Sequence, residues 1–409
     1  MYKFKTNIEA KEFIQDRIDH PAVEMMRRLA RGAILSSYSQ ELTDGTFTNI
    51  YDLSFPSNGA TKPLMSLGKN TFNIFNHVKS NTDILASISG GFFFLADKCS
   101  KNPLCPSLNL AMSDTSVDSL PVVDREAIVL WDDKIEFRHI KSLGLLAIND
   151  AEMTWSGSLT KYDTGCKVFS NGNSEIEHMT SLDTGSIRVL DDSSRYTPKI
   201  EPGENVVDLG IISEEGVNFT CATINYSGCT DIFDYNFVIR TGVCNVESDN
   251  CPRVKINTID TLNMSDLRIQ GAVSVGPSLE SADFNTHLIN SDLSLGSKPP
   301  FIERPLARLA LYETESGIVH AKLFDGRPGS KIFPGVLPEQ ARDIILSDED
   351  IAWGCFLDPG QTSKIVVRDN LDVKSYGNSH YLRWPDSPED YFTWSPEEGR
   401  PIANSIDFI

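Results

Sequence analysis

Near the start of the chain, apolar side chains recur at helical spacing. In VEMMRRLARGAIL, Val23, Met26, Leu29 and Ile34 fall on one stripe, with Arg27, Arg28 and Arg31 outside it. Pro21 suits a first turn, where its missing N–H costs nothing. This spacing predicts an N-terminal helical extension within residues 1–47. From about residue 48 the pattern turns strand-like. DILASISGGFFF, EAIVLWDDKIEFRHI, SIRVL, NVVDLGII, NFTCATINY, DYNFVIR and RVKINTI are short apolar runs parted by Gly, Ser, Asp and Asn. Asp132-Asp133-Lys134 marks a hairpin turn inside the second run. PEQARDIILS, Pro338–Ser347, reads as a helix, opened by proline with Glu339 in its first turn.

Strands at short spacing with few helices predict an α+β fold. The expectation is a mixed, mostly antiparallel β-sheet core with flanking helices and the N-terminal helical extension. Residues 371–409 form a tail in which Pro385, Pro388, Pro396 and Pro401 alternate with Trp384, Tyr391, Phe392 and Trp394. Proline forbids long helices there, and the aromatics are expected to pack the tail onto the body.

Composition narrows the function classes. The formal net charge of −20 repels phosphate backbones and anionic bilayers, so nucleic acid is not an expected partner. No apolar stretch approaches the ~18 residues of a membrane span. The first residues, MYKFKTNIEAKEF, contain no apolar leader core, which points to the cytoplasm, with secretion open if a leader has been removed. None of the eight cysteines forms a CxxC pair, and no two of the seven histidines have metal-ligand spacing. A structural divalent cation such as calcium stays open as a cofactor, although no EF-hand-like loop is present. P-loop, GxGxxG, HExxH and GxSxG signatures are absent.

Four stations remain. They are Ser89-Gly90-Gly91-Phe92-Phe93, Val275-Gly276-Pro277, Ala307-Arg308 leading into Asp325-Gly326-Arg327, and Leu357-Asp358-Pro359-Gly360-Gln361-Thr362. Glycine lets backbone approach a ligand, and its N–H groups can cradle an anion. Arginine binds phosphate bidentately. Asp-Gly and Pro-Gly are equally ordinary turn dipeptides, and paired glycines also serve tight packing.

In this order the stations resemble the phosphodiester glycosidase domain family, with its NGGFF, GGP, PR-x-A, DGR and LDGGGS motifs. The resemblance covers about residues 80–370 and is strongest over 270–368. It implies a domain over 48–370 with a divergent insertion at about 155–265. It also implies a hydrolase cleaving a sugar-phosphate or similar anionic glycosidic linkage. Asp358 and Asp325 would be the acid/base or charge-stabilising groups. Arg308, Arg327, Ser89, Gly90, Gly91, Gly276, Gly360 and Thr362 would bind a small-molecule or oligosaccharide substrate carrying an anionic group. The chain departs from the pattern at Ser89 for Asn, at Val275 for the first Gly of GGP, and in the last loop, where Pro359-Gly360-Gln361-Thr362 replaces Gly-Gly-Gly-Ser. These departures keep two alternatives open, an inactive carbohydrate- or protein-binding domain and a transglycosylase or biosynthetic enzyme on the same fold.

Overall fold

The structure is a computed structural model. It describes residues 2–4, 20–93, 107, 109–114, 116–121, 124–149, 151–156, 166–170, 203–215, 218–226, 230, 235–242, 252–280, 304–327, 330–370, 372–377, 382–383, 391–393 and 398–409. Among the described residues strand accounts for 57% and helix for only 9%, so the fold is mostly β, and the α+β expectation does not hold.

The N-terminal helix is part of that correction. Met25–Arg28 is a strand paired antiparallel with Ile34–Glu41, Met25 opposite Ser37 and Arg28 opposite Ile34. The chain reverses between them at Arg31 and Gly32, both left-handed at φ 55° and 81°. The apolar spacing that suggested a helix is not a buried stripe, since Val23 and Met26 are 80% and 78% exposed. Pairing with a neighbouring strand overrides local spacing in so short a segment.

A six-stranded antiparallel sheet forms one layer, in the order 25–28, 34–41, 47–56, 318–325, 308–314, 351–356. Its outer face holds Ala310, Tyr312, Phe324 and Phe356 against Ala341, Ile344 and Ile345 of the predicted helix, Pro338–Asp348. Its inner face packs Leu309, Leu311 and Leu323 against Ile88, Ile365, Val367, Ile406 and Phe408. Those residues belong to a five-stranded sheet ordered 372–376, 365–369, 86–89, 402–408, 63–72. A helix at Ile74–Ser80, capped by Asn73, covers the far side of that sheet with Ile74 and Val78. Ile402–Phe408, from the expected tail, is thus an interior strand.

A second five-stranded sheet links this body to a barrel. In its strand Arg125–Trp131, Ile128 and Leu130 join the body core while Ala127 and Val129 join the barrel core. Burial on both faces explains the unbroken apolar run AIVLW. The predicted hairpin forms, with Ile135 opposite Leu130. The barrel closes seven strands: 143–148, 151–156, 166–169, 237–242, 206–215, 218–225 and 253–259, the last pairing back to the first. Hydrocarbon packs its interior, where Phe219 and Phe237 meet edge to face at 5.0 Å. SIRVL, residues 186–190, lies outside the described residues.

Candidate active site

Asp358 follows the last strand of the six-stranded sheet, where the ends of three sheets converge. Its N–H donates to Gly90 O at 3.1 Å, across to the first five-stranded sheet. Just before it, Phe356 O accepts from Gly276 N–H at 2.9 Å, across to the second. Just after it, Gly360 N–H donates to Ala307 O at 2.7 Å. Backbone hydrogen bonds therefore bring parts of all four sequence stations together.

Packing demands the glycine pair. A Cβ at Gly91 would stand 2.1 Å from Ser274 O, and one at Gly90 would stand 2.3 Å from Asn404 Oδ1. At Gly91 the obstacle is backbone, so no side chain fits, whereas at Gly90 the buried Asn404 side chain would have to move. Gly360 differs: it needs glycine for its φ of 83°, while the space a Cβ would enter there is open.

The electrostatics single out Asp358. Burial pushes its carboxyl up from 3.8 to about 6. A hydrogen bond from Thr362 and the positive charges of Arg400 and Arg125 pull the other way without cancelling the burial. Arg125 is 4% exposed, its guanidinium 4.6 Å from the centre of the Phe92 ring, and its Nε donates to Val275 O. Arg400 lies over Phe93 at 5.7 Å. Thus two cations, each on an aromatic face, act on one carboxyl that keeps a proton into the mildly acidic range. A group poised in this way suits proton transfer.

The other sequence candidates have engagements of their own, and the arginines whose charge acts on Asp358 are not the predicted Arg308 and Arg327. Arg308 is buried, and its guanidinium donates to Val336 O at 3.3 Å and Arg304 O at 3.1 Å, holding two loops. Asp325 Oδ1 accepts from Gly326 N–H at 2.9 Å, and its charge acts on Tyr51. Arg327 N–H closes its loop onto Phe333 O. Ser89 Oγ accepts from Lys364 N–H at 3.1 Å, so it ties two strands together. Thr362 Oγ1 lies 3.1 Å from Pro359 O, an alternative acceptor for its one hydroxyl proton. Sequence reasoning missed Arg125, Arg400 and Asn404. Arg125 left one legible sign, a charged pair with Glu126 opening the apolar run AIVLW.

No family model matches the chain, and no curated protein matches it. Its fold is similar to that of a hypothetical protein from Synechocystis, with TM-score 0.54 and 14% identity over 92% of this chain and 62% of that one. The chain thus spans less than two thirds of that protein's length. An exported-protein candidate from Burkholderia pseudomallei is similar at TM-score 0.54 and 11% identity, over 90% and 76% of the two chains. The catalytic domain of zebrafish N-acetylglucosamine-1-phosphodiester alpha-N-acetylglucosaminidase, auto-inhibited by its pro-peptide, is a weaker likeness. Its TM-score is 0.40 at 11% identity, over 97% and 92% of the two chains. At these identities the likeness concerns the fold alone.

Proposed function

We propose that the chain is a hydrolase of the phosphodiester glycosidase type, acting at Asp358 on a sugar joined through phosphate or a similar anionic linkage. One observation carries the reading: a carboxyl raised to about 6 by burial, in the field of Arg125 and Arg400, where the glycine stations converge. Arg125 and Arg400 are assigned to the anionic group. In this scheme ionised Asp358 takes a proton from water as the water oxygen bonds to the anomeric carbon. The bond from that carbon to the phosphate oxygen breaks, and the phosphate leaves with the electron pair. A phosphate monoester is a weak base, so its departure needs no proton, and orientation with charge stabilisation provides much of the rate.

Turnover should rise with pH through about 6, following ionisation of Asp358. Asp358→Asn should lower hydrolysis of a chromogenic sugar 1-phosphodiester by roughly 10²–10⁴-fold with an unchanged circular dichroism spectrum. Near-normal turnover in that variant removes Asp358 from the mechanism.

A second reading, an inactive carbohydrate-binding domain, is favoured by the loop after Asp358. There the N–H groups of Asp358, Gly360 and Ser363 are all donated to backbone carbonyls, and Pro359 has none. That leaves few loop donors for a phosphate. Calorimetry showing sugar-phosphate binding without turnover would favour this reading.

A further inference from the structure

Asn404 lies on the interior strand Ile402–Phe408 and is 1% exposed. Its backbone O accepts from Gly90 N–H at 3.1 Å, and its Nδ2 donates to Ser107 Oγ at 3.0 Å. Its Oδ1 is buried with no hydrogen-bond partner among the described residues. Buried amide oxygens are nearly always satisfied, so one left over calls for a reason. Its position supplies one. The oxygen lies 2.3 Å from where a Cβ of residue 90 would be, and Gly90 O receives the Asp358 N–H. Glycine at 90 leaves room for that oxygen beside the backbone that meets Asp358. Ser107, which anchors the amide, pairs as an isolated bridge with Phe93, the ring beneath Arg400.

We propose that Asn404 Oδ1 is a ligand-binding acceptor of the Asp358 site, taking a hydrogen bond from a hydroxyl on the sugar part of the substrate. The inference rests on the anionic-glycoside reading above and deepens it. The ligand is a polyol bearing a phosphate: Arg125 and Arg400 hold the anion, while the amide, fixed by Ser107, reads one hydroxyl. A site built to pair a hydroxyl discriminates strongly against an analogue lacking it, because the buried acceptor is then left alone. The amide is neutral, so it provides this selection without adding a negative charge beside Asp358.

Calorimetry on the full chain, with inorganic phosphate and glucose 1-phosphate as probes, tests this. Asn404→Ala should weaken glucose 1-phosphate about tenfold, a loss of about 1.4 kcal/mol, and leave inorganic phosphate unchanged. In the wild type, one monodeoxy glucose 1-phosphate should bind about tenfold more weakly than its parent, and in the variant the two should be equal. The deoxy series on the wild type decides the matter even if the variant does not fold. An equal loss of both probes in the variant, or a flat deoxy series in the wild type, overturns the role of Asn404 while leaving the anion site intact. If neither probe binds the wild type, the anionic-glycoside reading fails, and this inference fails with it.

Discussion

The six-stranded sheet borders two polar centres that differ in how their charged groups are partnered. On one, Asp52, His320, Lys322, Glu349 and Tyr312 satisfy one another. His320 Nδ1 is 3.1 Å from Asp52, its Nε2 is 3.2 Å from Glu349, and its ring stacks on Tyr312 at 4.9 Å. Lys322 Nζ reaches Glu349 at 3.4 Å and Asp52 at 3.9 Å, and Tyr312 Oη donates to Glu349 at 3.1 Å. The ligand atoms of Asp52, His320 and Glu349 lie within 4.8 Å of one another, a spacing that can hold a cation. Lys322 already supplies positive charge there. The cluster ties the C-terminal end of the Pro338–Asp348 helix, through Glu349, to two strands. At the other centre, Asp358 is desolvated more than its arginines compensate, so its carboxyl is raised. A cluster whose polar groups are paired with one another is accounted for by structure, whereas a carboxyl raised by desolvation is a candidate for chemistry.

The largest effect should come from breaking the closed centre. Lys322→Met leaves two carboxylates against one histidine and should cost about 3–5 kcal/mol in urea unfolding. A loss below about 1 kcal/mol would place this network with ordinary surface pairs and erase the contrast.

The open centre should respond in the opposite sense. Burial raises the Asp358 carboxyl above its unfolded value, so the folded chain holds the extra proton between roughly pH 4 and 6. That contribution to stability is complete below about 4 and is lost as pH rises through about 6. Asp358→Asn should therefore be more stable than the wild type above pH 6, by at most about 3 kcal/mol, with the gap closing in acid. Melting curves that differ by the same amount at every pH would show that the carboxyl is not strained.

The smallest effects separate the two kinds of glycine around Asp358. Gly91→Ala drives a Cβ into Ser274 O and should cost about 1–3 kcal/mol in thermal unfolding. Gly360→Ala meets only an unfavourable φ and should cost about 1 kcal/mol. If Gly360→Ala proves the costlier of the two, the packing explanation of the glycine pair is wrong.

Local pattern alone determined the hairpin at Asp132-Asp133-Lys134, the Pro338 helix and several of the individual strands. Each follows from contacts between residues close in sequence, where period and turn chemistry act directly. The order of the four stations, through the family they resemble, brought Asp358 forward as a candidate. Only the tertiary structure decided the rest. Phe47–Pro56 pairs with Ile318–Asp325, and Ile402–Phe408 lies between Pro63–Phe72 and Ala86–Ser89, partners hundreds of residues away. The same long-range pairing converted the N-terminal apolar spacing into a sheet edge. It brought Arg125 and Arg400, neither near Asp358 in sequence, to act on one carboxyl, and it set Asn404 against Gly90. Desolvation and charge depend on distance through space, and linear order carries little information about either.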